Sequence, residues 1–134
     1  MGSAYPLAGR SILVVEDEPL IALEIAGLFE TAGAQVHTTN KLADALGLVE
    51  QNAWSGAVLD YRLGLDDVRL LCRRLADRGI PFMIYTGLAD LPESYPGALI
   101  VQKPACGDTL LMGMSELVSR HADAGAQGLW AHNA

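Results

Sequence analysis

The stretch Trp54-Ser55-Gly56-Ala57-Val58-Leu59-Asp60-Tyr61-Arg62-Leu63-Gly64 decides the fold that we predict for this chain. Its centre is a short apolar run that ends on Asp60 and is followed by a loop containing glycine. Strands of a parallel sheet that is buried on both faces have such continuous apolar runs. Ligand chemistry in these sheets lies just beyond the carboxyl ends of the strands. Asp60 is therefore either a turn residue, which is a common role for aspartate, or a reactive carboxylate.

Length and composition indicate one acidic domain with a sizeable core. The chain has 134 residues, of which 51% are hydrophobic, and a formal net charge of −7. The negative charge argues against a nucleic-acid surface, which needs clustered Lys and Arg. No apolar run approaches the roughly 20 residues that span a bilayer, and no signal-peptide pattern is present, so we expect a cytoplasmic protein without membrane contact. Cys72 and Cys106 match no metal-ligand spacing, and we interpret both as buried free thiols.

Hydrophobic periodicity predicts five strands that alternate with helices. The predicted strands cover residues 10–15, 34–38, 56–60, 81–85 and 98–101. The predicted helices begin at Pro19, at Leu42 after a cap at Thr39 or Asn40, at Val68 after a cap at Asp66-Asp67, and at Asp108 or Thr109. Between the last two strands, residues 88–97 contain two prolines and a glycine, so we expect a short or irregular fourth helix there.

This alternation predicts a doubly wound α/β fold, with a parallel sheet and helices on both faces. Because crossovers are right-handed, the flavodoxin-like strand order 2-1-3-4-5 is the natural arrangement of five such units. We expect a flexible N-terminal arm at residues 1–9, the domain at residues 10–120 and a C-terminal tail at residues 121–134.

Polar side chains follow four of the predicted strands at their carboxyl ends. Glu16 and Asp17 come after the first strand, Asp60 after the third, Thr86 after the fourth and Lys103 after the fifth. Parallel strands bring these ends to one edge of the sheet, so we expect the five side chains to lie close together. Crowded carboxylates raise one another's pKa, and a hard divalent cation relieves their repulsion. Mg²⁺ is the predicted cofactor, because it binds one or two carboxylates together with phosphate oxygens and water.

The same residues suit phosphoryl transfer, which needs mostly positioning and neutralisation of charge. Asp60 would be the nucleophile that forms an acyl phosphate, a known role for a carboxylate. Lys103 would supply a compact positive charge, and Pro104 after it allows a cis peptide bond that would aim the lysine inward. Thr86 would donate a hydrogen bond to a phosphoryl oxygen.

Four pieces in this order and spacing make the chain resemble a two-component response-regulator receiver domain. They are Ile12-Leu13-Val14-Val15-Glu16-Asp17-Glu18-Pro19, Leu59-Asp60, Thr86-Gly87 and Lys103-Pro104. The resemblance implies that Asp60 accepts a phosphoryl group from a histidine kinase or a histidine phosphotransfer protein. It implies that Asp17 and Asp60 ligate Mg²⁺ with the backbone carbonyl of Arg62, while Glu16 acts on the metal through water. Thr86 and Lys103 would be the switch hydroxyl and the lysine of the site.

The resemblance also implies how such a domain works. It is a signalling domain rather than an enzyme, apart from catalysing its own phosphorylation and dephosphorylation. We expect a stand-alone receiver that signals through protein contacts or serves as a phosphate shuttle or sink. Similar domains often form homodimers, and an apolar surface near the fifth strand and the last helix leaves that open.

Three features depart from the usual receiver pattern. The fifth strand usually carries Tyr or Phe three residues before the lysine, and here that position is Ile100. The segment from Thr86 to Lys103 is shorter than usual. Residues 82–87 are partly similar to the Phe-Ala-Thr-Gly pattern of the FAT-GUY receiver subgroup, with Tyr85 in place of the alanine and Leu88 after the glycine.

Two other functions remain open from the sequence. A degenerate receiver would bind partners without phosphorylation, and Ile100 and the shortened segment are compatible with it. An aspartate-nucleophile phosphatase, a less favoured alternative, would need a second acid two residues after Asp60, where this chain has Arg62. A flavin-binding protein of this fold is disfavoured, because Glu16-Asp17-Glu18 would repel the phosphate of the cofactor.

Overall fold

The structure is a computed structural model that describes residues 5–63, 66–88, 91 and 95–126, with the backbone alone at 66–67 and 122–126. Its elements follow the chain as β1 (Ser11–Val15), α1 (Pro19–Thr31), β2 (Gln35–Thr39), α2 (Leu42–Gln51), β3 (Gly56–Leu59), β4 (Arg62–Leu63), β5 (Asp66–Asp67), α3 (Arg69–Asp77), β6 (Phe82–Thr86), β7 (Leu99–Gln102) and α4 (Gly107–Ala126).

The central sheet has five parallel strands in the order β2-β1-β3-β6-β7. Because β6 and β7 are the fourth and fifth of the predicted strands, this is the predicted order 2-1-3-4-5, and the flavodoxin-like fold class is confirmed. The two short strands β4 and β5 form a separate antiparallel ladder outside this sheet.

Alternate residues of the strands point to opposite faces of the sheet, and each face is covered by two helices. One apolar cluster packs Leu13, Val15 and Leu59 against α2 and α3. The other packs Val14 and Met83 against α1 and α4. Both faces of the central strands are therefore buried, which is why these strands read as continuous apolar runs in the sequence.

The predicted cap of α2 is wrong, and α3 begins at Arg69, one residue later than predicted. The residue before α2 is Lys41, whose backbone N–H lies 3.3 Å from the Thr39 hydroxyl, and neither helix has a side-chain cap hydrogen bond. The residue before α3 is Val68, and the backbone of Asp66-Asp67 forms β5, which pairs with Arg62-Leu63. Strands of two residues have no period that a sequence pattern can reveal, so this ladder was not predicted.

The described part of the predicted N-terminal arm, residues 5–9, packs against the domain. The Leu7 side chain is fully buried in the cluster beneath α1 and α4, and its backbone N–H donates to the Ala32 carbonyl at 2.9 Å. Gly33, with φ +102°, lets the chain approach this closely, because a Cβ at that position would lie 3.0 Å from the backbone of Ala8. Residues 5–9 are thus part of the domain.

Other boundaries also differ from the prediction. Helix α4 continues to Ala126, past the predicted start of a tail at residue 121, and residues 127–134 lie outside the described part. Cys72 is buried as predicted, but Cys106 is exposed, because it lies just before α4 rather than inside it. In the predicted irregular segment, residues 89–90 and 92–94 lie outside the described part, and none of the others is helical.

Two further observations complete the fold. The peptide bond between Lys103 and Pro104 is cis. Among the residues that the structure describes, no helix combines the length and the apolar character that a bilayer crossing requires.

Leu7→Ala tests whether the N-terminal segment belongs to the core. We expect it to lower the free energy of unfolding by about 2–4 kcal/mol, because it removes a fully buried side chain and leaves a cavity. Urea denaturation measures the effect. Leu23→Ala is the matched control, since Leu23 lies on α1 with its side chain 69% exposed. Equal stability of the two variants would show that Leu7 does not pack in the core.

Candidate functional site

Backbone hydrogen bonds fix two of the site residues just beyond the ends of the strands. The Asp60 N–H donates to the Val15 carbonyl of β1 at 2.9 Å, and the Lys103 N–H donates to the Thr86 carbonyl of β6 at 2.7 Å. Each bond extends a parallel ladder by one residue. Backbone hydrogen bonds alone therefore hold Asp60 against β1 and Lys103 against β6.

The Lys103 ammonium lies between two carboxylates. Its Nζ is 3.2 Å from Glu16 Oε1 and 3.5 Å from Asp60 Oδ2. These side chains are largely shielded from solvent, with exposed fractions of 2% for Glu16, 13% for Asp60 and 19% for Lys103. The three residues follow three different strands, so only the folded sheet brings them together.

Burial and neighbouring charges set the protonation of this cluster. Burial raises the pKa of Glu16 and the charge of Asp60 raises it further, although the Glu18 backbone N–H and the Lys103 ammonium favour the ionised form. Burial alone would lower the pKa of Lys103, but the charges of Asp60 and Glu16 outweigh that penalty and raise it. Lys103 therefore remains a cation at neutral pH.

The other predicted site residues occupy less central positions. The Asp17 and Arg62 side chains are exposed, and the Arg62 backbone N–H donates to Asp60 Oδ1 at 3.2 Å. Thr86 is buried at the end of β6, and its hydroxyl accepts a hydrogen bond from the Leu88 N–H at 3.1 Å. The structure thus brings Glu16, Asp60 and Lys103 into contact, with Thr86 beside the lysine backbone and Asp17 facing solvent.

Tyr85, which was not among the predicted site residues, contacts Lys103 and the segment after it. Its side chain is buried, its hydroxyl accepts a hydrogen bond from the Ala105 N–H at 3.1 Å, and Lys103 Nζ lies 5.4 Å from its ring centroid. A buried tyrosine usually finds a partner for its hydroxyl. The signal that could have pointed to it is an aromatic residue with a polar group in a buried strand, directly before Thr86.

Comparison with known proteins identifies the fold. Neither a protein-family model nor a curated protein matches this chain. Among solved structures, a response regulator receiver protein from Sinorhizobium medicae is 24% identical, with a TM-score of 0.77 over 84% of this chain and 96% of that one. A CheY-like response regulator receiver domain protein from Methanospirillum hungatei is 24% identical, with a TM-score of 0.78 over 85% and 97%. The chain has the receiver-domain fold.

A third receiver domain, from a sensor histidine kinase of Pseudomonas aeruginosa, is 21% identical, with a TM-score of 0.73 over 84% of this chain and 99% of that one. Its structure holds a magnesium ion coordinated in the active-site cleft. Ile100, the position at which the resemblance to receiver domains predicts an aromatic residue, lies on β7, pairs with Ile84 and is 43% exposed.

The donor set of the site fits Mg²⁺. In the part of the chain that the structure describes, no group of three or more His, Cys, Asp or Glu side chains is arranged to hold a metal ion. Mg²⁺ needs fewer protein ligands, because it binds through one or two carboxylates and keeps several waters. Glu16 and Asp60 face each other with one ammonium between them, and Asp17 is adjacent in sequence. This edge therefore keeps a net negative charge and oxygen donors.

Lys103→Met tests the electrostatic balance of the cluster. Removing the ammonium leaves two carboxylates facing each other, so we expect the pKa of Glu16 to rise further above its ordinary value of 4.5. A raised carboxyl pKa means that the folded state binds the proton more tightly than the unfolded chain. This contribution to stability is therefore lost as the pH rises through the folded-state pKa, and the loss should extend to higher pH in the variant.

Carboxyl ¹³C chemical shifts, titrated without divalent cations, measure this pKa. Lys41→Met is the control, because Lys41 is an exposed lysine at the start of α2. An unchanged Glu16 titration in Lys103→Met would mean that the lysine does not govern the protonation of the cluster.

Proposed function

We propose that this chain is a phosphoacceptor receiver domain in which Asp60 takes a phosphoryl group from a phosphohistidine of a histidine kinase or of a phosphotransfer protein. The observation on which the proposal rests is the Lys103 ammonium, 3.2 Å from Glu16 and 3.5 Å from Asp60 at the carboxyl ends of parallel strands. The likeness to receiver domains supports it.

Asp60 is oriented for nucleophilic attack before a donor arrives. The Arg62 N–H holds one oxygen of its carboxylate, and the other oxygen lies beside Lys103. In the reaction, a carboxylate oxygen forms a bond to phosphorus while the N–P bond of the donor breaks, and the electron pair of that bond returns to the imidazole. Lys103 then pairs with the phosphoryl oxygens, which carry more charge than the carboxylate it leaves.

Thr86 and the metal would complete the site. The Thr86 hydroxyl accepts a hydrogen bond from the Leu88 N–H, which leaves its own proton available for a phosphoryl oxygen. Asp17, Asp60 and the Arg62 carbonyl would hold Mg²⁺, with Glu16 acting through water. The bound ion would supply neutralisation of the charge on the transferring group. The magnesium in the similar Pseudomonas receiver domain and the net negative donor set support this assignment.

Asp60→Asn should abolish phosphoryl uptake while the fold is retained, because the amide is nearly isosteric but is not a nucleophile. The measurement is intact mass after incubation with acetyl phosphate, with and without Mg²⁺. We expect the wild type to gain one phosphoryl group only when Mg²⁺ is present.

The control for this experiment is Asp77→Asn. Asp77 ends α3, on the side of the sheet away from the strand carboxyl ends, and its exposed side chain pairs with Arg74. Labelling of Asp60→Asn would place the acceptor elsewhere. Absence of label in the wild type, together with no change in amide shifts on adding beryllofluoride, would favour a module that binds partners without phosphorylation.

Thr86→Val tests the switch hydroxyl separately from the acceptor. Valine keeps the shape but has no proton to donate, so we expect slower labelling of Asp60 and a smaller change of amide shifts once it is modified. Thr86→Ser, which keeps the hydroxyl, should behave like the wild type. Two-dimensional NMR of the beryllofluoride-treated proteins measures the response, and a full response in Thr86→Val would remove Thr86 from the switch.

A further inference from the structure

We propose that Tyr85 is a positioning residue for Lys103, through its hydroxyl and its ring, in phosphoryl transfer to Asp60. The inference deepens the proposed function and rests on it for the chemistry, but the arrangement of Tyr85 and Lys103 is testable without any phosphoryl group. Among the residues that the structure describes, the polar partners of the Tyr85 side chain are the Ala105 N–H and the Lys103 ammonium, so Tyr85 would act on the carboxylates through the lysine.

The hydroxyl of Tyr85 holds the chain that follows Lys103. It accepts a hydrogen bond from the Ala105 N–H at 3.1 Å, two residues beyond the lysine. On the other side, the Lys103 N–H donates to the Thr86 carbonyl at 2.7 Å. Two neighbouring residues of β6 therefore fix the backbone before and after the Lys103–Pro104 bond. A lysine whose backbone is held at both ends has fewer positions available to its ammonium.

The ring of Tyr85 lies beside the ammonium itself. Lys103 Nζ is 5.4 Å from the ring centroid, within the distance at which a cation is attracted to an aromatic face. The attraction is larger where solvent is excluded, and here the lysine side chain is only 19% exposed. The ammonium is thus surrounded by Glu16 after β1, Asp60 after β3 and the Tyr85 ring on β6. Each of the three limits its movement on one side.

Tyr85 is held in the interior of the domain, beside the segment that contains Lys103 and Ala105. It lies on β6, between β3 and β7 in the sheet, and its side chain is 7% exposed. It also lines a groove of about 610 Å³ between α1 and α4, together with Ala105 and Leu110. A displacement of the 103–105 segment would therefore change the shape of this groove, which Ala105 and Tyr85 both line.

The test compares Tyr85→Phe with Tyr61→Phe. Each substitution removes one hydroxyl from a largely buried tyrosine close to the site, with side chains 7% and 8% exposed. The Tyr61 hydroxyl is 3.3 Å from that of Tyr95, so its loss leaves the Lys103 loop untouched. Phenylalanine keeps the ring and its volume, which avoids the cavity that Tyr85→Leu would open in the core.

The first readout uses the unmodified protein without divalent cations. The ¹⁵N–¹H signal of the Lys103 ammonium, assigned by its loss in Lys103→Met, reports the position of the group against the Tyr85 ring. We expect Tyr85→Phe to shift and weaken this signal, and to speed hydrogen exchange of the Ala105 amide by about two- to tenfold, the range that corresponds to one lost hydrogen bond. Tyr61→Phe should leave both unchanged.

The second readout is labelling by acetyl phosphate at varied Mg²⁺. In Tyr85→Phe the maximal rate constant should fall about two- to fivefold, because the lysine is less often in place, while the Mg²⁺ concentration at half-maximal rate stays the same. A merely structural residue would change the exchange of Ala105 and leave the ammonium signal and the maximal rate as in the wild type. That outcome would overturn the inference.

The two proposals fail in different ways. Absence of labelling in the wild type would contradict the phosphoacceptor function, and the ammonium signal would still decide whether Tyr85 positions Lys103. Labelling in the wild type with an unshifted ammonium signal in Tyr85→Phe would contradict only the role of Tyr85.

Discussion

One ammonium group between two shielded carboxylates is the interaction on which the rest of this site depends. Glu16 and Asp60 lie at the ends of neighbouring strands, where burial and the charge of Asp60 raise the pKa of Glu16. Lys103 is the group that the fold supplies against this repulsion, from the far end of β7. The sheet order β1-β3-β6-β7 brings Lys103 to this edge, so the contact of the three side chains depends on the topology of the domain.

A pairing of this kind does little for stability. The desolvation of buried ions is comparable to the attraction between them, so such clusters are weak evidence of a stabilising role. Here the cluster keeps more negative than positive charge, and its one cation is shared between two acids. A site in this state gains from additional positive charge or from a group that offers the lysine a stronger partner. Both conditions are met by a divalent cation and a phosphoryl group, which is the physical reason for favouring a phosphoacceptor over a structural ion cluster.

Most of the fold and the centre of the site could be predicted from the sequence. Continuous apolar runs such as Ala57-Val58-Leu59 mark strands buried on both faces, and the convergence of Glu16, Asp60 and Lys103 follows from parallel topology. The N-terminal segment could not be predicted, because Leu7 is a single apolar residue whose partners are distant in sequence. The contacts of Tyr85 could not be predicted for the same reason, since its hydroxyl accepts a hydrogen bond from a backbone group 20 residues away.

The aromatic residue beside Lys103 is Tyr85 on β6, and position 100 on β7 is an isoleucine. This difference determines how a change at Lys103 would reach the rest of the domain. An aromatic side chain at Ile100 would lie on the edge strand β7, at a position that is 43% exposed, where a side chain has room to rotate between solvent and the protein. Tyr85 lies one strand further in and is buried, with its hydroxyl bonded to Ala105. The Tyr85 side chain is therefore not free to rotate when Lys103 moves. If Tyr85 positions the lysine, the signal passes as a displacement of the 103–105 backbone against β6 and the groove between α1 and α4, rather than as the rotation of one exposed ring.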